Sequence, residues 1–198
     1  MHKMRRGSRG SARRGMLGDR RGVAAVEFAL IAPALIILFM GVLELTFRFR
    51  AAEETTRYVH QVADLISREQ TTNTATLTAI YDASVHMMKP LETTDKLDLD
   101  VSAIGYRNDE HLTPHLLWRR TAGTAIPMAL SEANGLGAAN ESVIRVAVRY
   151  RYTSPLTTLF SGPDIEIVRE SYARPRQVRL IQMDGQFDTN GQTVAFGS

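Results

Sequence analysis

The sequence predicts an α+β chain, a long N-terminal helix with a membrane-spanning first half and a small antiparallel sheet domain packed on its second half. Three observations predict it. An apolar run, Val23 to Leu45, follows a strongly basic head. Apolar residues then recur at helical spacings of three and four to about residue 68. Beyond residue 95, four segments alternate apolar and polar side chains as strands do. Helices first and strands later place the two kinds of element in separate layers.

Taken in order, residues 1–22 are rich in Gly, Ser and Arg and carry no hydrophobic period, so they are expected to be a disordered leader. This stretch holds eight Lys or Arg side chains against one acid, Asp19. The remainder of the 198 residues holds 16 basic and 20 acidic side chains, so the net charge of +3 comes wholly from the head. A body without basic excess lacks the footprint of phosphate binding, and no nucleic-acid partner is expected. Cysteine is absent, which excludes disulfide frameworks, thiolate metal sites and cysteine nucleophiles.

At 1.5 Å per residue, residues 23–45 as a helix span roughly 35 Å, enough for a hydrocarbon core of about 30 Å. The uncharged centre from Phe28 to Leu43 is short, and a buried helix of a soluble protein would read similarly. The basic flank favours insertion with the head cytoplasmic and the body exported. A cleaved secretory signal needs small residues after its apolar run. Here the run exits into Glu44-Leu45-Thr46-Phe47-Arg48-Phe49-Arg50, so the segment is expected to stay as an anchor in contact with lipid. Expected boundaries are 1–22 for the leader, 23–46 for the span, and 47–68 for an amphipathic helix continuing it. Residues 69–198 follow as an exported α+β domain, with a flexible tail after about 183.

Glu27 is the discordant residue of the span. An acid near hydrocarbon is costly and points to a functional partner. An interfacial carboxylate near the positive end of a helix explains it equally well.

Arg20-Arg21-Gly22 followed by Val23-Ala24-Ala25-Val26-Glu27-Phe28 resembles the processing site of a type IV prepilin-like protein. The longer text, running through Pro33 to Gly41-Val42-Leu43-Glu44-Leu45, resembles the TadE-like family, pseudopilins of the tight-adherence (Flp) pilus machinery. Tyr150-Arg151-Tyr152 before Pro155-Leu156, and Tyr172-Ala173-Arg174-Pro175-Arg176, extend the resemblance weakly to the C-terminal part. The resemblance implies cleavage between Gly22 and Val23 by a prepilin peptidase, with Glu27 as the acidic position fifth after the cut. It also implies a bacterial inner-membrane location, partnership with other pilins or pseudopilins and the pilus assembly platform, and no cofactor. Glycine suits the cut site because its backbone is permissive. The freed Val23 amine, cationic or nearly so at neutral pH, is a partner for the Glu27 carboxylate within a helix bundle. Pro33 is tolerated in a membrane helix and can kink it. Ala24, Ala25, Ala29, Ala32 and Ala34 permit close helix approach.

Past the span, Phe49, Ala52, Thr56, Val59, Ala63 and Ile66 form the expected apolar stripe, with Glu53–Arg57 and Asp64–Arg68 as i,i+4 pairs. A plain stalk helix is the alternative to a spine for a globular domain. Thr71–Thr74 carries capping chemistry, residues 75–88 read as a second helix ended by Pro90, and 126–134 as a short helical segment before Gly135-Leu136-Gly137. Strands are expected at 96–106, 116–121, 142–152 and 165–172. In the third, Ile144, Val146, Val148, Tyr150 and Tyr152 form the core face, while Val143, Arg145, Ala147, Arg149 and Arg151 form the other.

Catalytic and metal sites are not expected. Glu110-His111-Leu112-Thr113-Pro114-His115 has metal-like content, but Pro114 makes it a loop rather than a helical zinc motif. Nucleophile elbows, P-loops and dinucleotide fingerprints are absent from the text. Trp118 with Arg119 and Arg120 could stack on a ligand, and an amphipathic strand accounts for them too. The function expected is a non-enzymatic pilus-biogenesis component. The alternative is an uncleaved single-pass anchor presenting a ligand-binding or scaffolding domain.

Overall fold

The computed structural model describes residues 20–156 and 164–186, and residues 193–195 as backbone. Most of the leader, and most of the tail expected to be flexible, lie outside the described residues. Helix α1, Arg20–Ser67, runs 48 residues and continues through Pro33. The chain divides into two units, Met1–Leu45 and Thr46–Ser198.

In the first unit, α1 carries no charged side chain from Phe28 to Leu43 and is long and apolar enough to be a candidate membrane span. Val23, Phe28, Leu30, Ile37, Leu38 and Leu45 are all exposed by more than half. A helix without a polar face needs an apolar environment around its whole circumference.

In the second unit, strands β2 (Leu97–Tyr106), β3 (Pro114–Ala122), β4 (Ser142–Tyr152), β5 (Ile165–Ala173) and β7 (Thr193–Ala195) make one sheet in the order β5-β4-β2-β3-β7. The first four are antiparallel, as expected. The last adds a short parallel pairing, Arg119 to Thr121 against Thr193 to Ala195, that nothing local in the sequence announces. Helix α2 (Thr74–Met87) is capped by Asn73, whose side chain accepts from the Thr76 N–H at 2.7 Å. Two-residue strands β1 (Thr71–Thr72) and β6 (Gln182–Met183) pair in parallel, and a 3₁₀ turn occupies Leu130–Ala133.

The core lies between the C-terminal part of α1 and one face of the sheet. Tyr58, Val59, Val62, Ala63 and Ile66 meet Leu97, Leu99, Val101, Ile144, Val146, Val148 and Trp118. Trp118 is fully buried and donates to the Ile181 carbonyl at 2.9 Å, so it is a core residue and not a ligand platform. The helical stripe differs from expectation at its start. Ala51, Thr55 and Tyr58 face inward, while Phe49 is 68% exposed. Counting back from Ile66 by threes and fours admits either path, and packing selects the one through Tyr58, whose hydroxyl reaches the Ile80 carbonyl at 3.2 Å. Arg57 likewise pairs with Glu54 at 3.4 Å in place of Glu53, whereas the Asp64–Arg68 pair forms as expected.

Candidate functional site

Two regions carry chemistry beyond ordinary packing. The first is the start of α1. Gly22 and Val23 lie in its opening turns and are exposed. The accessible, extended cut site expected at Gly22 is therefore accessible but helical. A Cβ built on Gly22 meets nothing within 4 Å, and the same holds at Gly41. Among the described residues, nothing occupies the space that a Cβ at either glycine would take.

Val23 and Glu27 stand four residues apart, which puts them on one helix face with Cβ atoms about 5–6 Å apart. Glu27 is exposed, as are Phe28, Pro33, Gly41 and Leu45. The structure thus brings together the expected cut site and acidic position, and spreads the remaining span residues along the exposed apolar surface.

The second region is the sheet face opposite the core. Alternation sends Asp98 and Asp100 of β2, Arg119 of β3, Arg145, Arg149 and Arg151 of β4 and Glu170 of β5 to this side. The register sets Asp98 opposite Arg149 and Ser102 between Arg119 and Arg145. Asp98 receives both terminal nitrogens of Arg151 at 3.0 and 3.1 Å, Arg149 at 3.4 Å and the Thr124 N–H at 3.1 Å. Asp100 receives Arg119 at 2.5 and 3.1 Å and the Ile126 N–H at 3.0 Å. Arg145, fully buried, donates to both Glu170 oxygens at 2.5 and 3.0 Å and to the Pro127 carbonyl at 2.9 Å. Burial opposes the charge on Arg145, but Glu170 and then Asp100 outweigh it and hold its pKa above the ordinary arginine value.

Sequence reading placed these arginines away from the core without finding their partners. The segment after β3 closes over them. Ile126 and Pro127 bond to the charges, Met128 meets Ser102 at 3.5 Å, and the Tyr106 hydroxyl donates to the Ala133 carbonyl at 2.6 Å. Gly123 makes the turn into this segment at φ +78, and a Cβ there would lie 2.2 Å from Asp98 Oδ1. Around Asp100 and Arg145 the face is a buried, hydrogen-bonded clamp, while at Asp98 and Arg151 it borders an open cleft.

The histidine cluster is dispersed. Asp109 accepts from the Thr113 N–H at 2.8 Å, a bond that holds its carboxyl below the usual range and ties the turn. His111 is exposed on that turn. His115 lies within β3 opposite Gly105, where a Cβ would come 3.0 Å from the imidazole. Among the described residues, no three His, Cys, Asp or Glu side chains are arranged to hold a metal ion.

The family model described as TadE-like protein matches residues 22–64. No curated protein and no solved structure matches the chain.

Proposed function

Starting from residues 22–64 as a TadE-like segment, we propose that this chain is a pseudopilin of tight-adherence pilus biogenesis, matured by a prepilin peptidase that cuts after Gly22. Cleavage hydrolyses the Gly22–Val23 peptide bond, leaving a carboxylate on the leader and an ammonium group on Val23. The apolar first part of α1 spans the inner membrane with the leader cytoplasmic and the sheet domain exported. In an assembling bundle, the Glu27 carboxylate pairs with a Val23 ammonium, its own or a neighbour's. Either pairing offsets the cost of placing charge beside hydrocarbon, and the intersubunit one fixes axial register. The role is assembly and not catalysis.

The observation that carries this reading is the family match starting at Gly22, on a helix whose large apolar side chains are exposed. Its partners are the peptidase, other pilins or pseudopilins and the assembly platform. The test is N-terminal sequencing of the protein purified from its native membrane. A mature chain starting at Val23, and loss of that product in a Gly22→Ile variant, support the reading. A chain that keeps its leader supports instead the uncleaved single-pass anchor. Because no described residue occupies the space of a Cβ at Gly22, failure of the variant to mature reads recognition and not misfolding.

A further inference from the structure

Between α2 and the sheet, on the side where the sheet's charges lie, a cleft of about 630 Å³ opens to solvent. That is within the size range of sites for small ligands and single side chains. Its floor is Asp98, which is 1% exposed and already bonded to two guanidinium groups and a backbone N–H. The floor is therefore electrically satisfied. The rim is not. Asp82 on α2 and Asp95 before β2 both line the cleft, are exposed, and have no ion pair or hydrogen bond among the described residues. Val85, 42% exposed, and Tyr81, whose hydroxyl is tied to the Leu97 carbonyl at 3.1 Å, line the same cleft. Three carboxylates, Asp82, Asp95 and Asp98, line the cleft against one guanidinium, Arg151, and counting Arg149, which also holds Asp98, still leaves a negative balance.

A group that fits has a cationic head for the two carboxylates and an apolar stem for Val85, with an aromatic ring beside the charge. We propose that this cleft takes a basic side chain, Lys or Arg, presented by a partner polypeptide. A neutral saccharide would use the rim oxygens but leave the negative potential unanswered. A metal ion finds too few ligands here. The inference concerns the unit Thr46–Ser198 and does not depend on cleavage at Gly22.

The test uses the full chain in detergent micelles, with methyl NMR signals of Val85, Thr93 and Thr94 as reporters. The probes are the peptide acetyl-Gly-Lys-Gly-amide, its norleucine analogue and diacetylchitobiose. The lysine peptide alone should give a saturable shift. Its midpoint should weaken by roughly tenfold in an Asp82→Asn/Asp95→Asn variant. It should weaken also when salt is raised from about 50 mM to about 500 mM. Trp118 emission, unchanged in the variant, shows that the fold is kept. The absence of a saturable shift, an equal response to the norleucine peptide, or a shift with the disaccharide alone would overturn the proposal.

Discussion

Replacing Asp100 by Asn tests whether the charged sheet face stabilises the domain. The side chain keeps its shape and loses its charge. Asp100 is fully buried and accepts three bonds from Arg119 and one from the Ile126 N–H, with Arg145 at 4.0 Å. An asparagine presents one oxygen to these donors and turns an NH₂ group toward a guanidinium. Removing one partner of a buried pair costs about 3–5 kcal/mol. The lower half of that range applies here, because Arg119 keeps the Ile126 carbonyl and Arg145 keeps Glu170 and the Pro127 carbonyl. For a unit of this size, about 3 kcal/mol lowers Tm by roughly 6–12 °C. The assay is urea unfolding of the full chain in micelles followed by tryptophan emission. Trp118 is the only tryptophan and is fully buried in the second unit, so its signal reports that unit alone. A loss below about 1 kcal/mol, the worth of an exposed pair, would refute the reasoning.

Gly123→Ala should cost more than Gly185→Ala. Both glycines have positive φ, but only at Gly123 would the new Cβ meet an atom, Asp98 Oδ1 at 2.2 Å. The second variant then pays roughly 1–2 kcal/mol of backbone strain and the first at least about 1 kcal/mol beyond it, both read by urea midpoints. Burial, and then Tyr81, raises the Tyr58 hydroxyl pKa above its ordinary value of 10.0. The folded state thus holds a proton the unfolded chain releases, and the contribution is intact below pH 10 and lost as pH rises toward the folded value. Tyr58→Phe should flatten that alkaline decline, and an unchanged slope would count against it. Glu27→Ala should leave membrane insertion intact while reducing recovery of the protein with its pilin partners by crosslinking. Equal recovery removes the role given to the carboxylate.

How far the structure was legible follows from the range of each interaction. Strand β4 alternates Ile144, Val146, Val148, Tyr150 and Tyr152 against arginines, and its bounds and core face could be read directly. The Asn73 cap and the helix after it are local chemistry and were legible too. The stripe on α1 was read one position off at Ala52 and Thr56, where Ala51 and Thr55 face inward, because threes and fours admit two paths and only the Tyr58 contact chooses. Strand β7 pairs with β3 across more than seventy residues, and three residues carry no period. The clamp was half legible. Arg145, Arg149 and Arg151 announced a polar face, yet their acids sit on β2 and β5 and meet them only once register is set. At the start of α1, composition and the dense motif at residues 20–28 identified the segment, while the helical state of Gly22 depends on context beyond the motif.

The central claim is that Gly22 is the last residue of a removable leader. Mass spectrometry of the intact protein from its native membrane, in cells with and without prepilin peptidase, measures it. The account predicts a single product with Val23 as its first residue, lost when the peptidase is deleted. A functional protein that carries the leader in both strains would contradict it.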